Sequence, residues 1–356
     1  GGVAVDDNTV VMLAHFVSLK RRGNVLELFE DRPPITGRET AELLKAVPSF
    51  NSAAIAVNFH QTKGLDGVLK LQGEVSPRVT DVDCLQAGVP IIEPRPLKGF
   101  ECDAAARETA AALKKYLAGC YRELDGHPLN TRRRKRDLPP VNGLITQRPG
   151  QWKEVESFSL RWGLRALSLS SGLMYHGLSR FVDMDVLAMT DSTDPGADLA
   201  ARLEKVLELK ADYDFFHVHS KAPDQAAHTK NPANKVEAIE SLDRGLGRVV
   251  DFFLDRETVL VVTADHSTPS SGPQVHSGEE VPINVNGPGI RKDPVEDFDE
   301  VSCACGCLGQ TRGRDFMYMV LNWLDRAKLH GLRDTPENRP YWPGRRKPFL
   351  IEGEGK

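Results

Sequence analysis

Five residues that could ligate a metal fall in three short groups between positions 224 and 276. Asp224 and His228 stand four apart in Lys221-Ala-Pro-Asp224-Gln-Ala-Ala-His228, a spacing that puts both side chains on one face of a helical turn. Asp265 and His266 directly follow the apolar, β-branched run Thr258-Val-Leu-Val-Val-Thr-Ala264, which reads as a buried parallel strand. His276 completes the set. Adjacent residues cannot share one face of a regular element, but at a strand's end they can splay toward two ions. A lone His or Asp in a loop is most often a cap or a turn residue. Five in three tight groups, one of them at the carboxyl end of a predicted strand where open α/β sheets build their sites, point to metal binding. The mixed nitrogen and oxygen donors suit Zn, Mn or a similar divalent ion.

The elements that must position these residues alternate. The apolar run at 8–16 predicts a core strand, 37–47 a helix, 52–59 and 67–72 two strands, and the Ala- and Leu-rich stretch 103–120 an amphipathic helix. Further on, strands are predicted at 164–170, 213–219 and 258–264, with helices at 196–210 and 233–254 between them. Val236, Ile239, Leu242, Leu246, Val249 and Phe253 recur at helical spacing as the buried stripe of the last helix. Such alternation predicts an α/β fold, a doubly wound and mostly parallel sheet carrying an inserted smaller α/β domain. The expected division is 1–16 as the start of a metal-binding domain, 17–127 as the insert, and 128–356 as the rest of the metal-binding domain. The final twenty residues, with Pro340, Pro343 and Pro348, read as an extended tail.

Composition narrows the class. A chain of 356 residues with 40% hydrophobic and 27% charged residues is ordinary for a globular protein, so disorder is not indicated. The net charge of −4 argues against a general nucleic-acid binder. No apolar stretch approaches the roughly 20 residues that span a bilayer. Six cysteines are too few and scattered for a disulfide scaffold. Cys303, Cys305 and Cys307 lack the Cys-x-x-Cys spacing of zinc sites and read as incidental rather than redox or metal residues.

With these residues in hand, the chain resembles the archaeal-type cofactor-independent phosphoglycerate mutases of the alkaline phosphatase superfamily. The resemblance rests on Thr263-Ala-Asp265-His266-Ser-Thr-Pro, His276-Ser-Gly-Glu-Glu-Val-Pro282, Asn286-Gly-Pro-Gly-Ile-Arg291 and Lys221-Ala-Pro-Asp224-Gln-Ala-Ala-His228. It continues through Gly309-Gln-Thr-Arg-Gly-Arg314-Asp315, Ser76-Pro-Arg-Val-Thr-Asp-Val-Asp83, His127-Pro-Leu-Asn130 and Leu138-Pro-Pro-Val-Asn142. It implies a cytoplasmic glycolytic isomerase that interconverts 2- and 3-phosphoglycerate with two divalent ions (Mn, Zn, Co or Mg) and no organic cofactor. Asp224, His228 and His276 would hold one ion; Asp265 and His266 would belong to the other, with an Asp and a nucleophilic Ser that the family carries near its start. The chain opens Gly1-Gly2-Val-Ala-Val-Asp and shows neither, so the expectation is an N-terminally incomplete sequence, inactive as it stands.

Other site residues follow from the same resemblance. Lys221 would neutralise developing charge. Within the basic run 132–136, otherwise a solvated face, Arg133 would contact phosphate, for which Arg is the preferred bidentate donor. Arg78, Asp81 and Asp83 form a second candidate substrate group, and Asp194 and Asp198 read as starting a helix. Two departures remove positive charge: His176 stands where the family has Lys, and Gln72 where it has Arg. A metal-dependent phosphohydrolase, or a catalytically silent member, is therefore the alternative.

Overall fold

The computed structural model describes residues 2–52, 54–255 and 257–327, so the proline-rich tail lies outside the described residues. The chain divides into two compact units, Gly1–Glu154 and Val155–Lys356.

The first unit is built around one long strand. β1 (Thr9–Arg22) pairs antiparallel with β2 (Val25–Asp31), β5 (Asp66–Gly73) and β6 (Gly143–Gln151), and β4 (Ile55–Lys63) extends the sheet from β5 to the short β3 (Phe50–Asn51). Period-two alternation sends Val68's neighbours Gly67, Leu69 and Leu71 inward, as a half-buried strand requires. Three helices belong to this unit: α1 (Gly37–Leu44), α2 (Ala104–Asp125) and α3 (Pro128–Arg134). A capping box between Thr36 and Glu39 starts α1. Asp103 caps α2 by accepting the Ala106 N–H. Along α2, Ala106, Ala110, Leu113, Tyr116, Leu117, Cys120 and Leu124 are buried at helical spacing. From Ala110 onward they join the strand residues in one core, each large side chain contributing about 1.5–3 kcal/mol.

This sheet corrects the expected domain boundaries at 16/17 and 127/128. β1 runs unbroken across the first, and β6 pairs with β1 through Val10–Val17, so residues 1–16 and 128–154 belong with 17–127. Two buried asparagines reinforce the join. Asn130 donates to the Leu124 and Val141 carbonyls at 2.8 and 2.9 Å and accepts the Val141 N–H. Asn142 exchanges two hydrogen bonds with the Leu19 backbone, at 2.7 and 3.0 Å.

The second unit alternates as predicted. After α4 (Phe158–Trp162) come β7 (Ala166–Ser170), α5 (Leu173–Phe181), β8 (Asp185–Ala188), α6 (Pro195–Leu209) and β9 (Phe215–Val218), giving a parallel sheet in the order β8-β7-β9. α7 (Ala222–His228), α8 (Pro232–Gly247) and a 3-10 turn (Val250–Phe253) lead to β10 (Leu260–Thr263). β11 (Ile283–Asn286), α9 (Glu300–Cys303), a second 3-10 turn (Gly313–Asp315) and α10 (Phe316–Trp323) follow. The chain is thus mixed α/β with a parallel sheet.

One expectation fails here and a second holds only in part. β10 is half-buried and pairs antiparallel with β11, rather than lying buried in the parallel sheet. In α8, Val236 and Ile239 are 54% and 48% exposed, while Ala238 and Gly245 are buried. A Cβ on Gly245 would lie 2.2 Å from the Gly196 carbonyl oxygen, so α8 meets α6 there by close backbone approach, while Leu246, Val249 and Phe253 further along the predicted stripe pack into the core with Leu203 and Val206. Asp194 does start α6, accepting the N–H groups of Gly196 and Ala197. Among the described residues no helix is long and apolar enough to cross a membrane.

Candidate metal centre

α7 is a seven-residue helix with Pro223 in its first turn and Asp224 and His228 at its two ends. The i, i+4 spacing brings His228 Nε2 to 3.2 Å from Asp224 Oδ1. The loop after β10 brings the rest. Ser267 and Ser277 form an isolated antiparallel bridge, with Ser277 N–H donating to the Ser267 carbonyl at 3.1 Å, and this folds His276 back onto the segment that carries His266. The two imidazoles then lie with ring centroids 4.2 Å apart, and His276 Nε2 is 3.5 Å from Asp224 Oδ1. Ligand atoms of Asp224, His266 and His276 all lie within 4.8 Å of one another, the one such group among the described residues. His266 thus lies within reach of Asp224 and His276 as well as of Asp265, its expected partner, while His228 stays beside Asp224.

The buried hydroxyl of Thr268 ties the group together. It donates to Asp224 Oδ1 at 2.9 Å and lies 3.1 Å from His266 Nδ1. Burial pushes the Asp224 carboxyl up, but the Thr268 hydrogen bond and the charges of His228, Lys221 and His276 outweigh it and hold the group below the usual carboxylate range. Lys221, the residue preceding α7, thus acts on Asp224 through its charge.

Asp265 is mostly exposed and adjoins this group through His266, with Oδ2 3.7 Å from His266 Nε2. Its charge acts on three residues not assigned from the sequence: Tyr175, His217 and His219. His217 Nδ1 hydrogen-bonds Ser168 at 3.0 Å, and the His219 ring stacks on Tyr175 with centroids 3.7 Å apart. Burial, first of all, lowers His217 from its ordinary value and lowers His219 to about 4. The signal for both was the His-Val-His alternation on β9, which puts 217 and 219 on one face of a strand.

The remaining candidates lie elsewhere. In the first unit Arg78 sits over the Phe100 ring at 4.9 Å, and Asp81 accepts the Arg148 backbone N–H at 2.7 Å. Both line an open cleft of about 780 Å³ with Asp103, Arg148 and Lys153. Arg133 is a correction. Its side chain is 2% exposed, and its guanidinium donates to the Pro139 and Pro34 carbonyls at 2.8 and 2.7 Å and to Glu39 at 3.4 Å, so its donors are spent inside the unit. Asp83 is buried and accepts from Gln147. His176 Nε2 is 2.9 Å from the Ser170 carbonyl. The three thiols of 303–307 form no metal-ligand group among the described residues.

Comparison with known proteins fits this arrangement. Residues 13–323 match the Metalloenzyme superfamily. A 2,3-bisphosphoglycerate-independent phosphoglycerate mutase of Methanocaldococcus jannaschii is 35% identical over 99% of this chain and 81% of its own length. One from Methanopyrus kandleri is 32% identical over 93% of this chain and 78% of its own length. In fold, a Pyrococcus horikoshii protein superposes with a TM-score of 0.69 at 24% identity, covering 93% of this chain and 77% of that one. The cofactor-independent phosphoglycerate mutase from Thermoplasma acidophilum gives 0.55 at 22% identity, covering 91% and 78%.

Proposed function

Since the chain belongs to the Metalloenzyme superfamily, and within it to the family of archaeal 2,3-bisphosphoglycerate-independent phosphoglycerate mutases, we propose that it interconverts 2- and 3-phosphoglycerate as a cytoplasmic step of glycolysis. The observation that supports this best is the convergence of Asp224, His266 and His276 on one point. Membership of the superfamily implies divalent metal ions, and one carboxylate with two imidazoles is a donor set that fits one. Asp224, His266 and His276 would hold an ion, with His228 as the adjoining donor and Asp265 serving a second. A divalent ion there would polarise phosphoryl oxygens and neutralise charge during transfer. We propose manganese.

The chain's own residues have separate tasks in this reading. Thr268 orients Asp224 and His266. Lys221 adds a positive charge beside Asp224, suited to an anionic substrate. Arg78, with Arg148 and Lys153 in the cleft of the first unit, would offer cations to an anionic ligand bound in that cleft, and Asp81 there accepts the Arg148 backbone N–H.

Phosphorus NMR of the protein with 3-phosphoglycerate and Mn²⁺ tests the reading. In a protein extended upstream with the Asp and nucleophilic Ser of the resembling family, we expect 2-phosphoglycerate without inorganic phosphate, and loss of the conversion in D224A and H276A; the 356 residues by themselves should give neither product. Release of inorganic phosphate instead would make the protein a phosphohydrolase. An extended, metal-loaded protein that turns over neither way would overturn the proposal.

A further inference from the structure

Tyr175 lies in the first turn of α5, after Gly172 at φ +88°, and its ring is held by contact rather than by hydrogen bonding. The His219 imidazole stacks on it at 3.7 Å with an interplanar angle of 32°. His219 is itself fixed, because its backbone N–H donates to the Leu169 carbonyl at 3.1 Å, anchoring the end of β9 to β7. Two carboxylates from different segments act on the Tyr175 phenol: Asp265 after β10 and Asp224 on α7. No residue among those described hydrogen-bonds its hydroxyl. At neutral pH a phenol is protonated and donates one hydrogen bond. A half-buried donor placed by stacking beside two metal-ligand candidates, with no protein partner of its own, is free to meet an oxygen of a bound oxyanion.

The neighbouring residue sharpens the point. Where the resembling family has Lys, this chain has His176, and His176 Nε2 is turned to the Ser170 carbonyl at 2.9 Å. His176 is thus committed to backbone, which leaves the Tyr175 hydroxyl as the adjacent unpartnered donor.

Resting on the metal-dependent phosphoryl chemistry proposed above, we propose that Tyr175 is a further substrate-contacting residue, donating its hydroxyl to a phosphoryl oxygen of the bound phosphate ester, with His219 as the positioning residue that holds its ring. His219 acts through the flat face of its ring. Its Nδ1 is buried with no partner among the described residues, so no proton transfer or hydrogen bond is assigned to that atom. A phenylalanine at 219 should therefore replace it, whereas an alanine should not.

The experiment is calorimetric titration of the purified protein, first with Mn²⁺ and then with inorganic phosphate. Y175F should bind Mn²⁺ as the unmodified protein does, which also shows that it is folded, and should bind phosphate about tenfold more weakly, the scale of one hydrogen bond to a charged group. H219A should weaken phosphate binding in the same direction, and H219F should restore it. Phosphate binding by Y175F at full strength would remove Tyr175 from the site while leaving the metal reading intact. H219F as weak as H219A would overturn the positioning role of His219. Failure of the unmodified protein to take up Mn²⁺ would instead overturn the proposed function, and this inference with it.

Discussion

Thr268 donates its hydroxyl hydrogen to Asp224 at 2.9 Å, and that bond decides which ring nitrogen of a second residue must act as a donor. A hydroxyl has one hydrogen to give. With it spent on Asp224, the contact at 3.1 Å to His266 Nδ1 requires Nδ1 to be the donor, leaving Nε2 with its lone pair. Outer-shell partners of this kind set which imidazole nitrogen can ligate a metal.

T268V should therefore weaken Mn²⁺ binding by about 10–100-fold, the usual effect of losing such a partner. T268S, which keeps the hydroxyl, should bind nearly as the unmodified protein does. Calorimetric titration at pH 7.5 checks both, and equal affinity in T268V would show that the Thr268 bridge has no part in metal binding.

His219 should make stability depend on pH. Its folded value is about 4, below the ordinary 6.5, so the folded state stays neutral where the unfolded state takes up a proton. Above pH 6.5 both states are neutral and nothing is lost. As pH falls from 6.5 toward 4, the unfolded state binds more protons and stability drops. H219F should lose less stability than the unmodified protein between pH 7.5 and 5, read as the shift in urea midpoint. Identical shifts would place the imidazole in water.

The basic run 132–136 should divide by burial. R133M removes donors to Pro34, Pro139 and Glu39 from a side chain that is 2% exposed, and should cost about 3 kcal/mol. R132A and R134A break ion pairs to Glu42 and Asp125 at the surface and should stay within about 1 kcal/mol. Chemical denaturation of the three variants gives the comparison, and an R133M protein as stable as R132A would contradict the buried geometry.

Gly245 should tolerate no side chain. A Cβ would sit 2.2 Å from the Gly196 carbonyl oxygen, against backbone that cannot swing aside, so G245A should destabilise by about 2 kcal/mol or more. Gly247, whose Cβ would meet nothing within 4 Å, is the control.

Local pattern made much of this legible in the sequence. The Asp224–His228 pair could be placed from helical spacing alone, and the strand–helix alternation gave the parallel sheet of the second unit. What failed depended on long-range contact. The join of residues 1–16 and 128–154 to the first unit comes from β1–β6 pairing and the Asn142–Leu19 bonds, across 123 positions that no local pattern spans. The predicted stripe packs at Leu246, Val249 and Phe253 but not at Val236 and Ile239, because apolar spacing marks a candidate face while the backbone approach at Gly245 settles how α8 meets α6. Resemblance singles out Arg133 for phosphate, and its burial goes unseen in the sequence because charge carries no sign of it. His217 and His219 carried a strand signal, but only the stacked Tyr175 and the nearby Asp265 showed that they face the site.

β1 has a consequence for how the first unit opens. Ser18–Arg22 pair with β2 alone, but within Val10–Val17 the strand is flanked by β6 on one side and by β5 or β2 on the other, so this stretch cannot be released by fraying one neighbour. Local openings should bypass it, and its amide hydrogens should exchange with deuterium only when the sheet comes apart as a whole. The shared stretch would then be the slowest-exchanging part of the unit, and its exchange rate a direct reading of the unit's global unfolding free energy.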